Sequence, residues 1–203
     1  MANQSQVRPQ PPVAAPFDSD ASDEAVAAVA KCDRAAFAPL YLRYVDPVYR
    51  YALRRLGSRE AAEDATAHVF TKVLAALPSY RDDGPSFRSW LFTIAHNVLV
   101  DTCRGRHSAA DLQAAEWLAD PSPGPEETAL ATEGQREVQL LLAAVAPDQR
   151  RVMELRLAGL STVEVAAVLG RSPGAVRATQ FRAATRLREI VEAESRRGAD
   201  RDG

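Results

Sequence analysis

Residues 160–188 read LSTVEVAAVLGRSPGAVRATQFRAATRLR, a pattern of two helices joined by a tight turn. Ser161 is placed to cap a short helix over 162–169, and Val165, Ala166, Val168 and Leu169 give that helix its buried side. Gly170 stands just past its end, where the backbone often turns left-handed. Ser172 then caps a second helix, with Pro173 at the first position, where a missing N–H is harmless. Steps of about 100° per residue put Val176, Gln180, Ala183, Leu187 and Ile190 on one side of this helix. Arg177, Ala178, Phe181, Arg182, Thr185 and Arg188 fall on the other.

That is the layout of a helix-turn-helix, whose second helix enters the major groove of DNA. Arg171, Arg177, Arg182, Arg186 and Arg188 have no acidic residue among them until Glu189, and phosphate contact needs such a basic surface. Two amphipathic helices with a solvated arginine face are the plainer alternative.

The rest of the chain supports a helical protein. Of its 203 residues, 46% are hydrophobic but only 6% aromatic, so its cores are built mainly of Ala, Leu and Val. The formal net charge is -2, so DNA contact must come from local patches. Cys32 and Cys103 lie far apart, without CxxC spacing, and are expected to be free, buried thiols. The N-terminus has no basic segment followed by an apolar one, and no apolar run reaches membrane-spanning length; a cytoplasmic location is expected.

Residues 1–21, rich in Pro, Gln and Ser, read as a disordered tail. Helical patterning begins near Ser22. Asp33 is placed to cap a second helix, Asp46-Pro47 to start a third that ends at Gly57, and Ser58 to cap a fourth that ends before Pro78. A loop with an Asp83-Gly84-Pro85 turn leads to Ser86, the cap of a long helix reaching about Arg106. Trp90 lies in its apolar stripe and reads as core rather than as a stacking platform. Residues 108–138 are acidic and interrupted by Pro121, Pro123, Gly124 and Pro125, as in an interdomain linker. The second helical domain covers 139–194, with a helix opening at Pro147 and closing at Gly159, and 195–203 form a short charged tail. There is no alternating strand pattern. The fold class expected is all-α, with two small helical domains joined by a flexible acidic linker.

Two stretches of the first domain, AAEDATAHVFTKVLAAL at 61–77 and SFRSWLFTIAHNVLVDTCR at 86–104, resemble sigma domain 2 of the extracytoplasmic-function sigma factors of the sigma-70 family. Residues 145–188 are similar to their sigma domain 4. The patterns WLxxIAxNxxxDxxR and LxxxEVAxxLGxSxGAVRxxxxRA are long, and they occur in the family's order. The resemblance implies a protein that binds core RNA polymerase, directs it to promoters and helps melt the DNA, with RNA synthesis left to the core enzyme.

It also implies residue roles. Glu63, Asp64, Val69, Phe70 and Lys72 match the helix that docks on the polymerase, although Ala67-His68 stands where Gln-Glu is usual. Tyr80, Arg81, Phe87, Arg88, Asn97, Asp101, Arg104 and Arg106 fall on the minus-ten reading and melting elements, where aromatic platforms and nearby positive charge suit single-stranded bases. His96 replaces the family's more usual arginine. Arg171, Ser172, Pro173, Gly174, Arg177, Ala178, Thr179, Phe181 and Arg182 fall on the minus-thirty-five reader, with Ala178 and Thr179 small enough to let the helix sit deep. The linker is implied to enter the polymerase channels as a mimic of nucleic acid; a simple tether explains it equally well. Partners are core polymerase and promoter DNA, and whether an anti-sigma factor exists is left open.

The competing reading is a stand-alone helix-turn-helix regulator with a helical N-terminal domain. Phosphate loop, HExxH and GxSxG are all missing, so no enzymatic activity and no cofactor are expected. His68, His96 and Cys103 do not make a metal set.

Overall fold

Residues 21–114 and 133–199 are described by the computed structural model. The described residues form eight α-helices and two short 3-10 turns, without strands. Helix α1 (Asp23–Ala30) is capped by Ser22, whose hydroxyl accepts from the Ala25 amide at 3.2 Å. Asp33 caps a 3-10 turn over Arg34–Phe37, after which α2 runs unbroken over Ala38–Leu56.

The sequence reading started a new helix at Asp46-Pro47, and the structure corrects it. Pro47 lies inside α2. Asp46 does not cap; it pairs with Arg50 one turn on. The buried stripe Leu40, Tyr44, Val48 and Tyr51 continues past the proline, and that packing outweighs the one backbone bond Pro47 cannot donate. The end at Gly57 is as read, with the glycine left-handed at φ 74°.

Helix α3 (Arg59–Ala76) follows the Ser58 cap and closes in a 3-10 turn over Leu77–Ser79. Helix α4 spans Phe87–Ala114, extending beyond the end expected near Arg106. The second half holds α5 (Glu133–Ala143), α6 (Pro147–Leu157), α7 (Thr162–Leu169) and α8 (Pro173–Ala199). Arg150 on α6 ties α5 down by donating to the Leu142 and Ala143 carbonyls at 2.7 and 2.8 Å, which meets part of the helix end's need for donors. Gly159 and Gly170 both take positive φ, 89° and 63°, at the two helix ends predicted for them. Most of the expected N-terminal tail, residues 115–132 of the expected linker and residues 200–203 of the expected C-terminal tail lie outside the described residues.

The two halves pack against each other, α2 against α6 and α4 against α7. Val152, Leu155, Leu160, Val165 and Val176 join Tyr51, Leu91, Phe92 and Val98 in one continuous buried cluster. Among the described residues, polar contacts cross the junction. Arg55 donates to Glu154 at 3.2 Å, Ser86 to Glu164 at 3.2 Å, Arg88 to the Gly159 carbonyl at 3.1 Å, and Gln139 to the Leu53 carbonyl at 3.2 Å. Cys32 is exposed and Cys103 half-buried, which corrects the expectation that both thiols are buried. Among the described residues no helix is long and apolar enough to cross a membrane.

Candidate nucleic-acid and polymerase interfaces

The helix-turn-helix is built by its caps. Ser161 and Glu164 form a reciprocal capping box: the Glu164 amide donates to the Ser161 hydroxyl at 3.2 Å, and the Ser161 amide to the Glu164 carboxylate at 2.7 Å. After left-handed Gly170, the Arg171 amide returns to the Ala166 carbonyl at 2.9 Å, which closes the turn. Ser172 accepts from the Ala175 amide at 3.2 Å, and Pro173 opens α8.

On α8, Val176, Thr179 and Ala183 face inward. Thr179 is only 2% exposed, and its hydroxyl accepts from Arg182 at 3.3 Å. It was expected among the DNA-facing residues; its place three residues from Val176 and four from Ala183 puts it on the inner stripe. Arg177, Ala178 and Arg182 are exposed, and Phe181 is 74% exposed. A ring so bare beside two arginines is not part of the core. Ser172 and Gly174 are exposed and Pro173 half-buried at the start of the helix.

Arg171 has a partner within the protein. It makes a two-pronged pair with Asp148 on α6, at 2.8 and 2.5 Å, and those bonds hold the Asp148 carboxyl below the usual carboxylate range. In the protein by itself its guanidinium braces the turn against α6.

The first half carries two surface depressions. One, of about 400 Å³ between α2 and α3, is lined by Tyr41, Val45, Tyr49, Arg59, Glu63, Thr66, Ala67 and Phe70. Val69 is fully buried and Phe70 only 4% exposed, with Phe70 edge-on to Tyr41 at 4.8 Å. Of the residues assigned to polymerase docking, Glu63 and Asp64 are thus exposed, Phe70 forms the floor, and Val69 belongs to the core. Tyr41, which sequence reasoning did not single out for this site, lines the depression from α2 and is 43% exposed.

Lys72 faces elsewhere. It lines a second depression, of about 420 Å³ between α3 and α4, with Ala75, Ala76, Ile94 and Asn97. The alanines make the space, and Asn97 supplies both a donor and an acceptor. Asn97, Asp101 and Arg104, spaced four and three residues apart, share one exposed stripe of α4. Arg106 lies in the same helix, its side chain outside the described residues.

The aromatic residues expected to offer stacking platforms turn inward. Tyr80 and Phe87 are buried, with centroids 5.5 Å apart, and each packs on Trp90 at 5.0 and 5.5 Å. Tyr80 meets Phe87 edge-on and both rings lie tilted against Trp90, and burying such rings together is worth more than leaving them in water. Arg81 is exposed and pairs with Asp83 at 3.3 Å. Arg88 lies over the Tyr44 ring and donates to Gly159 across the junction. His96 also points inward, with Nδ1 2.9 Å from the Tyr51 hydroxyl; burial, then Arg55 and Arg151, lower its pKa. Among the described residues no group of three or more His, Cys, Asp or Glu could hold a metal ion.

Two family models match the chain in order: Sigma-70 region 2 over residues 40–109, and Sigma-70 region 4 over residues 135–187. The ECF RNA polymerase sigma factor ShbA of Streptomyces griseus is 39% identical over 76% of this chain and 83% of its own. The chain belongs to the ECF sigma factors. BldN of Streptomyces coelicolor, also an ECF RNA polymerase sigma factor, is 31% identical over 79% of this chain, and the match spans 62% of BldN's length. Among solved structures, CnrH in complex with the cytosolic domain of CnrY is 28% identical, covering 87% of this chain and 99% of that one, with a TM-score of 0.65. In this sigma factor, region 2 takes in most of α2 and all of α3, with both depressions, and region 4 ends within α8, just past the exposed arginine face.

Proposed function

We propose that this sigma factor binds core RNA polymerase, directs it to a set of promoters and assists melting of the start-site DNA. The observation that supports this most is the match to regions 2 and 4 in one chain and in order. In this reading residues 22–107 bind the core and handle the minus-ten DNA, residues 139–194 read the minus-thirty-five element, and residues 108–138 join them. The groove floored by Phe70 and rimmed by Glu63 and Arg59 suits a partner helix with an apolar edge. The space beside Asn97 suits one unstacked base, with Lys72 near its phosphate. The exposed Arg177, Phe181 and Arg182 face suits the major groove.

RNA synthesis belongs to the core enzyme, so the chain needs no catalytic group of its own, and it works in the cytoplasm where the polymerase is. An anti-sigma factor is a further partner class for this chain, in line with the CnrH–CnrY complex. The test is transcription from a promoter library by purified core polymerase, with and without this protein. Promoter-dependent initiation only when both are present supports the reading. Tight binding of duplex DNA by the protein alone, with no initiation when core is added, supports a stand-alone regulator instead.

A further inference from the structure

Helix α1 touches both ends of the loop between α3 and α4. Its inner face, Val26, Ala27 and Ala30, is buried in the core of the first half, and charged residues flank that face at each end of the helix. At its N-terminal end, the Glu24 carboxylate accepts from the Phe87 amide at 3.3 Å. Phe87 is the first residue of α4, so its amide has no partner within that helix. Ser86, the cap next to it, serves the Ser89 amide instead, at 3.3 Å. The Glu24 charge also lies at the positive end of the α4 dipole. At the C-terminal end of α1, the Lys31 ammonium stands 5.5 Å from the centre of the Tyr80 ring, within cation–π range. The Tyr80 hydroxyl is buried with no hydrogen-bond partner among the described residues, so packing on Phe87 and Trp90, together with Lys31, holds this ring.

A third tie runs through α2. Asp23 pairs with Arg43 and accepts from the Tyr44 hydroxyl, and the Tyr44 ring lies under the Arg88 guanidinium at 5.8 Å. Residues 81–86, between the anchored ends, are all exposed. A segment fixed at both ends has fewer arrangements than one held at a single end, so less remains to be ordered when a ligand meets it. Helix α1 itself lies ahead of the region 2 match, which starts at residue 40.

We propose that α1 is a positioning element for the minus-ten site, with Glu24 and Lys31 as its positioning residues. They fix Phe87 and Tyr80, and so set how residues 81–86 and the first turn of α4 meet single-stranded promoter DNA. Neither side chain touches the DNA; each acts through the residue it holds. The inference rests on the minus-ten reading of this stretch.

The test uses the full chain assembled with core polymerase, at a temperature where circular dichroism shows the variants helical. Permanganate reactivity of start-site thymines reports opening, and gel retention of promoter DNA in the cold reports the closed complex. Glu24→Ala should lower opening about three- to tenfold, the factor carried by one hydrogen bond. Lys31→Ala should lower it about two- to fivefold. Core assembly, closed-complex formation and upstream sequence preference should stay at the wild-type level, while base preference within the minus-ten element flattens in a promoter library. Glu24→Gln keeps an acceptor and Lys31→Arg keeps a cation, so both should restore opening. Opening and minus-ten preference at the wild-type level in the alanine variants overturn the proposal. So does a loss that Glu24→Gln and Lys31→Arg share, or one matched by an equal loss of core assembly, since either marks a purely structural role. Should Glu24→Ala not fold, Lys31→Ala, which strands no backbone group, decides. If the wild-type holoenzyme opens no promoter, the sigma reading fails and the proposal with it.

Discussion

Phe70 separates a packing role from a docking role, because the structure gives it both a core position and a place on a groove floor. It is 4% exposed, lies edge-on to Tyr41 at 4.8 Å, and sits 6.4 Å from the Phe37 ring. Replacing a buried phenylalanine by alanine costs about 3–5 kcal/mol, most of it from lost burial and the cavity left behind. For a chain of this size each kcal/mol moves the midpoint by about 2–4 °C. Phe70→Ala should therefore lower Tm by roughly 6–20 °C in a thermal melt followed by circular dichroism. Phe70→Leu keeps most of the volume and should lose under ~1.5 kcal/mol. Asp64 is exposed on the same helix, and Asp64→Ala should leave Tm within about 2 °C while weakening assembly with core polymerase. Holoenzyme assembly at a temperature where all variants are folded completes the comparison. If Phe70→Ala melts like the wild type yet fails to assemble, the ring is an exposed anchor for a partner's pocket, and the packing account of α2 against α3 is wrong.

Asn97→Ala should reduce promoter opening, read by permanganate reactivity of start-site thymines, while leaving closed-complex binding intact; equal opening removes Asn97 from the minus-ten site. Arg177→Ala should relax the preferred upstream sequence at one or two positions, at about 1–3 kcal/mol of discrimination, whereas Arg188→Ala should weaken all promoters alike and lower the salt slope by about 0.9 if it meets a phosphate. A uniform loss for Arg177→Ala in a promoter-library assay makes it a phosphate clamp. Acidification should destabilise the chain through His96. Its pKa is lowered below 6.5 in the fold, so between 6.5 and the lowered value the unfolded chain takes up a proton that the folded chain refuses, and stability falls by at most about 1.4 kcal/mol per pH unit. Burial raises the pKa of Glu154, which acts in the opposite sense at lower pH. His96→Gln should flatten urea-melt stability between pH 7 and 5.5, and an unchanged slope rules His96 out as its source.

Helix ends were legible because their chemistry is local. Ser161, Gly170, Ser172 with Pro173, and Ser58 each mark a helix end by local chemistry, and each is found where the sequence put it; the Glu164 half of the capping box was not read. Asp46-Pro47 carried the same local signature and misled, because a stripe of four buried side chains and the Asp46–Arg50 pair decide that stretch. Thr179 and Tyr80 lie inward for a related reason. Residue type suggested contact with DNA, but the position of Thr179 on the 3.6-residue period and the packing of Tyr80 on Trp90 turn them inward.

The junction between the halves could not be read at all, and its composition explains why. Its polar members, Arg55, Ser86, Arg88, Gln139, Glu154 and Glu164, are residue types expected on any solvated helix face. Two of them have other duties that hide the role: Glu164 completes the capping box and Ser86 starts α4. Only Glu154 departs from its type, as a carboxylate almost without exposure, and nothing in the sequence marks it apart from Glu137 or Glu164. Each of the others is also stable when exposed to water, so residue type does not distinguish this contact from ordinary surface.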